Sequence, residues 1–244
     1  MEAVYMIAGK AIRINSLYQR VHDYCSDYRS DSSPDFSVDI TQADIDCERR
    51  RNARTAELEG RQVTEQSSSY LEELAVYRSI CEKMPEYDTF LFHGSCVSVD
   101  GEGYLFAAVS GTGKSTHTAL WRELLGEKAV MVNDDKPLIK VAPDGVTVYG
   151  TPYNGKHRLG SNIAVPLKAI ALLGRSDKNT ICQVDAPQIY PMLLQQMYRP
   201  SDPTALSRSL RLFDEMLGRV RLYKLGCNMQ IQAAQIAYNT MKGR

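Results

Sequence analysis

Hydrophobic and polar positions follow short, separate patterns in residues 1–88. Alternating positions predict a β-hairpin that turns at Gly9-Lys10 and a half-buried strand between Phe36 and Ile40. Apolar positions at helical spacing from Tyr70 to Met84 predict a helix that Pro85 ends. These elements predict an amino-terminal α+β accessory region.

In residues 89–244 short apolar runs alternate with helical patterns. The predicted strands are 90–93, 96–99, 104–109, 129–132, 138–141, 146–149, 169–173 and 220–225. The predicted helices are 118–125, 187–198, 203–217 and 229–241, the last one capped by Asn228. This order predicts an α/β catalytic domain, with a mixed β-sheet core that is flanked by helices.

The strongest chemical signal lies between the strand 104–109 and the helix that follows it. The connecting residues are Ser110, Gly111, Thr112, Gly113, Lys114, Ser115 and Thr116. Glycines let successive N–H groups face one anion, and the start of a helix adds positive partial charge. Lys114 adds a full charge, and Ser115 offers a hydroxyl group to Mg²⁺. This pattern predicts a phosphate-binding P-loop, although Ala108 stands where the first glycine of that motif is usual. The alternative is an ordinary strand–turn–helix connection.

Two carboxylates, Asp134 and Asp135, follow the strand 129–132. Beside a P-loop, one carboxylate can hold Mg²⁺ and the other can accept a proton from an attacking hydroxyl group. A polar turn before Lys136-Pro137 is the alternative.

Two further features predict contacts with phosphate. The glycine-flanked loop 150–162 carries Lys156, His157 and Arg158, whose clustered donors suit a phosphate clamp. The alternative is a solvated loop without a ligand. His93 ends a strand in front of the strand pair that leads to the P-loop. The side chain of His93 has either a purely structural role or a position near the bound phosphates.

Composition narrows the functional classes. The chain has 29 basic and 29 acidic side chains, so its net charge indicates neither nucleic acid nor a membrane as a partner. The run Glu48-Arg49-Arg50-Arg51 is interpreted as a solvated helix face rather than a nucleic-acid contact. No apolar run is long enough to span a bilayer, and the chain start does not resemble a signal peptide. Six cysteines without C-x-x-C spacing favour reduced thiols in a cytoplasmic protein over disulfides or zinc. The sequence is compatible with a homo-oligomer.

Residues 93–162 resemble the catalytic domain of the HPr kinase/phosphorylase family, which is related to the phosphoenolpyruvate carboxykinases. The matching positions are His93-Gly94, the loop from Ser110 to Ser115, Asp134-Asp135 and Arg158-Leu159-Gly160. The 21-residue interval between His93 and Lys114 is similar to the spacing in that family. The resemblance covers less than a third of the chain, and residues 1–88 do not resemble the family's accessory domain.

The resemblance implies a nucleotide-binding core in which Ser115 contacts Mg²⁺ and Asp134 is the base, with Asp135 and His93 close by. With the residue patterns, it predicts an ATP- and Mg²⁺-dependent kinase that acts on a hydroxyl group of a protein, peptide or small molecule. Lys114 and the loop amides would hold the phosphates, Ser115 and Asp135 the metal, and Arg158 the transferring group. A nucleotide-binding regulatory or adaptor module with little turnover is the alternative.

Overall fold

The computed structural model describes residues 1–109, 111–155 and 157–243, which fall into two units, Met1–Lys83 and Met84–Arg244. The sequence places the corresponding boundary slightly later, between residues 88 and 89.

The first unit contains a small three-stranded sheet. Strands β1 (Glu2–Ile7) and β2 (Lys10–Asn15) form the predicted hairpin, and β3 (Phe36–Asp39) pairs with β2 in parallel. The turn itself is Ala8-Gly9, where both residues have positive φ (50° and 73°), as the tight turns of hairpins require. It is therefore one residue earlier than the sequence predicts.

Three helices complete the first unit, and they are α1 (Arg20–Tyr24), α2 (Gln42–Leu58) and α3 (Ser68–Lys83). Glu48 of α2 belongs to the predicted solvated face but is buried. Its carboxylate accepts hydrogen bonds from Arg78 Nε (2.5 Å) and Nη2 (3.0 Å) on α3. The side chains of Arg49 and Arg51 are half exposed, so only part of that run is a solvated face.

The second unit is built on a mixed sheet with nine strands among the described residues, and this confirms the predicted mixed α/β architecture. The strands are β4 (Thr89–Leu91), β5 (Ser95–Val99), β6 (Glu102–Ala107), β7 (Ala129–Asn133), β8 (Leu138–Ala142), β9 (Gly145–Tyr149), β10 (Ala164–Arg175), β11 (Thr180–Gln183) and β12 (Arg221–Cys227). Their order is β4-β8-β9-β10-β6-β5-β7, and β12 pairs with both β10 and β11. The pairs β10–β6 and β10–β12 are parallel, whereas the other pairs are antiparallel.

Four helices cover this sheet, and they are α4 (Lys114–Leu125), α5 (Ala186–Leu194), α6 (Pro203–Arg219) and α7 (Ile231–Met241). Leu193 of α5 and Phe213 of α6 belong to one apolar core, together with strand residues. Trp121 of α4 and Ala237 of α7 belong to a second core. The central strands are thus buried on both faces, which explains their nearly continuous apolar sequences.

The predicted start of α7 is wrong by two residues. Gln230 is the N-cap of this helix, and Asn228 instead accepts a hydrogen bond from the Gln230 N–H at 3.0 Å. Met229, which the sequence places on the buried face, is 80% exposed because it precedes the helix.

Within the described residues no helix is sufficiently long and apolar to cross a membrane.

Candidate functional site

The strand directions bring three of the predicted positions to one edge of the sheet. β5 is antiparallel to both β6 and β7, so the ends of β6 and β7 lie beside the start of β5. The register agrees, since Ser95 pairs with Phe106 and Cys96 pairs with Asn133. His93, the loop after β6 and the two aspartates after β7 therefore meet at this edge.

The loop between β6 and α4 begins earlier than predicted, because β6 ends at Ala107 and Val109 is 65% exposed. Gly111 and Gly113 have φ values of 77° and 123°, a region that favours glycine. A Cβ at either glycine would meet no atom within 4 Å, so backbone conformation rather than space explains these glycines. Ser110, which the sequence assigns to phosphate binding, lies outside the described residues.

The start of α4 presents amide groups that have no acceptor within the helix. The His117 N–H donates to Gly113 O at 2.9 Å. The N–H groups of residues 114–116 therefore have no acceptor within the helix, and they carry the positive end of its dipole. The side chains of Ser115 and Thr116 are exposed.

Lys114 is held at this helix start by two contacts. Its ammonium donates to His93 Nε2 at 3.1 Å and to Ala108 O at 3.3 Å. An ammonium can only donate, so Nε2 accepts and the proton of neutral His93 lies on Nδ1. That Nδ1 is 3.3 Å from Asp135 Oδ1. Burial lowers the pKa of His93, and the positive charge of Lys114 lowers it further, whereas Asp135 opposes both effects. The three side chains thus form a chain Asp135–His93–Lys114.

The helix that carries Lys114 is anchored by a buried histidine. His117 packs edge-on against Phe106 and accepts a hydrogen bond from Trp121 Nε1 at 3.0 Å. Its Nδ1 has no hydrogen-bond partner among the described residues, and burial lowers the pKa of His117 to about 4. The ring is therefore neutral at physiological pH.

The turn that carries the two aspartates is fixed by the fully buried amide of Asn133. Its Oδ1 accepts from the N–H groups of Asp135 (2.9 Å) and Lys136 (2.6 Å), and its Nδ2 donates to Thr151 Oγ1 at 3.1 Å. The Ser95 hydroxyl group donates to Asp134 O at 2.7 Å and ties the same turn to β5.

The two carboxylates have different surroundings. Asp135 approaches His93, and its other oxygen is 3.7 Å from the Lys136 ammonium. Asp134 is 6% exposed, and its Oδ1 accepts a hydrogen bond of 2.6 Å from the Gly155 N–H. A Cβ at residue 155 would lie 2.9 Å from Asp134 Oδ2, so glycine is needed for this close approach.

Arg158 lies on the loop that also carries Gly155. Its side chain is exposed, its backbone has a φ of 48°, and its N–H donates to Gly155 O at 3.1 Å. His157 is exposed as well, whereas Lys156 lies outside the described residues.

The supporting residues Asn133, Thr151 and Ser95 were not among the predicted site residues. Asn133 stands directly before the aspartates, and its tendency to bond to the following backbone amides was a usable signal. Thr151 and Ser95 carried no such signal, because their partners are distant in sequence.

The described residues contain no group of three or more His, Cys, Asp and Glu side chains that could hold a metal ion. A metal at this edge would therefore need, besides a single carboxylate, ligands such as the Ser115 hydroxyl, backbone or a bound phosphate.

Comparison with known families identifies the chain at the family level. Residues 59–201, more than half of the chain, match the model of the SynChlorMet cassette protein ScmC. The chain therefore belongs to the ScmC family.

A comparison with curated proteins gave no match. Among solved structures, the Hpr(Ser) kinase/phosphatase from Coxiella burnetii is similar over 63% of this chain and 99% of its own, with a TM-score of 0.34 and 11% identity. A similarity this distant shows neither an activity nor any site residue.

Proposed function

We propose that this ScmC-family protein is an ATP- and Mg²⁺-dependent phosphotransferase that moves the γ-phosphate to a hydroxyl group of a protein, peptide or small molecule. One observation carries the proposal. The Lys114 ammonium is held beside a glycine loop and beside the amide groups at the start of α4 that have no acceptor within the helix. The resemblance of four short sequence segments to those of HPr kinases supports it.

The loop and helix start would bind the phosphates. The amide groups of residues 114–116 and the Lys114 ammonium supply hydrogen-bond donors and positive charge at one point, which suits a polyphosphate. Lys114 must exchange its present acceptors, His93 Nε2 and Ala108 O, for phosphate oxygens. Both present contacts are longer than 3.0 Å, and burial lowers the pKa of Lys114. Binding of an anion would therefore relieve an unfavourably buried charge.

Ser115 and Asp135 are the residues that would hold Mg²⁺. A site of one or two protein oxygens suits this ion, which keeps water molecules and phosphate oxygens as its other ligands. The exposed hydroxyl of Ser115 and the partly exposed carboxylate of Asp135 fit that requirement. When bound, Mg²⁺ would neutralise the charge that develops on the phosphates.

Asp134 would take the proton of the acceptor hydroxyl group. The Gly155 N–H orients its carboxylate through Oδ1, and Oδ2 would be the proton acceptor. Arg158, on the same loop as Gly155, would stabilise negative charge on the group in transfer. His93 would position both Lys114 and Asp135 through its two ring nitrogens.

A second function is favoured by the burial of the Asp134 carboxylate beneath the loop that carries Gly155. The backbone of Gly155 contacts this carboxylate, which is almost inaccessible to an acceptor. If the loop does not move, the protein would bind nucleotide and act as a regulatory module without turnover.

Transfer of labelled γ-phosphate tests these alternatives. The full-length protein, Lys114→Ala and the control Lys128→Ala would be incubated with γ-labelled MgATP and a pool of metabolites and peptides. Lys128 is an exposed lysine beyond the other end of α4, so its removal tests the effect of charge alone. We expect transfer by the wild type and Lys128→Ala and no transfer by Lys114→Ala. Nucleotide binding without transfer would favour the regulatory module, and absence of binding would refute both functions.

A further inference from the structure

The sheet register places one more side chain next to the glycine loop. β10 runs parallel to β6, with Leu172 opposite Ala107, the last residue of β6. β10 continues through Arg175, and among the described residues its last three pair with β12 but not with β6. Arg175 thus lies beyond the end of β6, at the level where the loop leaves the sheet.

Arg175 binds the loop through backbone carbonyl groups. Its Nη2 donates to Gly111 O at 2.5 Å, and its Nε lies 3.4 Å from Thr112 O, a longer and weaker bond. The side chain is exposed, and within the described part of the chain it has no acidic partner. Its hydrogen-bonding groups are therefore directed to the loop rather than to an ion pair.

These contacts fix two successive peptide groups. In the first, Gly111 O binds Arg175, while the Thr112 N–H donates to Val109 O at 3.1 Å. In the second, Thr112 O faces Arg175. Because a trans peptide has its C=O and N–H on opposite sides, the Gly113 N–H points away from Arg175. Glycine at positions 111 and 113 leaves this backbone many alternative conformations when nothing restrains it.

We propose that Arg175 is a positioning residue that holds the 111–113 backbone in the conformation that receives phosphate. The inference rests on the proposed function, because it requires this loop to bind a nucleotide. Arg175 acts through the loop and does not touch the ligand. Its loss should weaken ATP and ADP equally and leave the chemical step unchanged, since the loop amides would bind the ground state and the transition state alike.

The test uses the full-length protein with Arg175→Met, Arg175→Lys and the control Arg211→Met, which removes an exposed arginine on α6. Dissociation constants for MgATP and MgADP, kcat and the melting temperature without nucleotide would be measured for each. We expect Arg175→Met to raise both dissociation constants by about tenfold, the scale of one hydrogen bond from a charged group. Arg175→Lys should show an intermediate value, because a single ammonium nitrogen keeps the charge but lacks the guanidinium fork that reaches both carbonyls. Arg211→Met should match the wild type, and neither kcat nor the melting temperature should change.

Three results would overturn the inference. Unchanged dissociation constants in Arg175→Met would show that the loop does not depend on this side chain. A loss for ATP much larger than for ADP would show direct contact with the γ-phosphate. If the wild type binds no nucleotide, the proposed function fails as well, whereas in the first two cases it survives.

Discussion

Buried His117 gives α4 a definite dependence on pH. Its ring lies between Phe106 and Trp121, and burial lowers its pKa from 6.5 to about 4. Below pH 6.5 the unfolded chain binds a proton that the folded chain excludes. The histidine therefore destabilises the fold as the pH falls from 6.5 towards 4, and it has no such effect above 6.5.

The size of this effect follows from the two pKa values. Each pH unit between them costs 1.36 kcal/mol, which amounts to about 3 kcal/mol over the whole interval. Between about pH 7.5 and pH 5 only part of the interval is crossed, and the expected loss is about 2 kcal/mol.

Urea unfolding followed by tryptophan fluorescence measures this loss. Trp121 is the single tryptophan of the chain and lies against His117, so the signal reports on the second unit. His117→Gln is the matched control, because the glutamine side chain can accept from Trp121 but does not titrate. The wild type should lose about 2 kcal/mol more than His117→Gln between about pH 7.5 and pH 5. Equal losses would show that the ring is not buried in neutral form and would refute this description of α4.

Three further predictions concern the aspartate turn. The aspartates would be compared in single-turnover transfer measured across a Mg²⁺ titration. Asp134→Asn should keep ATP affinity within a few-fold and slow transfer roughly 100-fold, whereas Asp135→Asn should raise the Mg²⁺ concentration that transfer requires. Full activity of Asp134→Asn would exclude Asp134 as the base. Gly155→Ala should slow transfer about tenfold or more, because its Cβ displaces the Asp134 carboxylate, while Gly218→Ala, whose Cβ would meet no atom within 4 Å, should not. Asn133→Ala should lower the free energy of unfolding by about 1–3 kcal/mol in urea titrations, since two backbone N–H groups lose their acceptor. An unchanged free energy would contradict the role of Asn133 in fixing the turn.

Much of the second unit was predictable because its strands carry local apolar patterns. Apolar runs identified β6 and β7, and apolar positions on both sides of a turn identified the hairpin of β8 and β9. β11 was missed, since this edge strand is largely exposed and has no apolar pattern. The end of β6 was misplaced at Val109 because an exposed valine in a loop cannot be distinguished locally from one in a strand.

The candidate site was predictable only where one short segment carries the signal. The loop from Gly111 to Ser115 and the aspartate pair are such segments, and the sheet brings them together through β5. The Gly155 N–H on Asp134 and the guanidinium of Arg175 on the loop join residues far apart in sequence. These contacts depend on strand order and register, which the local pattern does not determine.

The central claim is that the loop before α4 binds nucleotide phosphates through Lys114. Calorimetric titration of MgATP into the full-length wild type and Lys114→Ala tests it most directly. The side chain of Lys114 has no apolar packing role at the helix start, so the variant should fold normally. We expect saturable binding by the wild type and affinity at least about tenfold weaker in Lys114→Ala, as for the loss of a charged contact. No binding by the wild type at millimolar MgATP, or equal binding by both proteins, would contradict the claim.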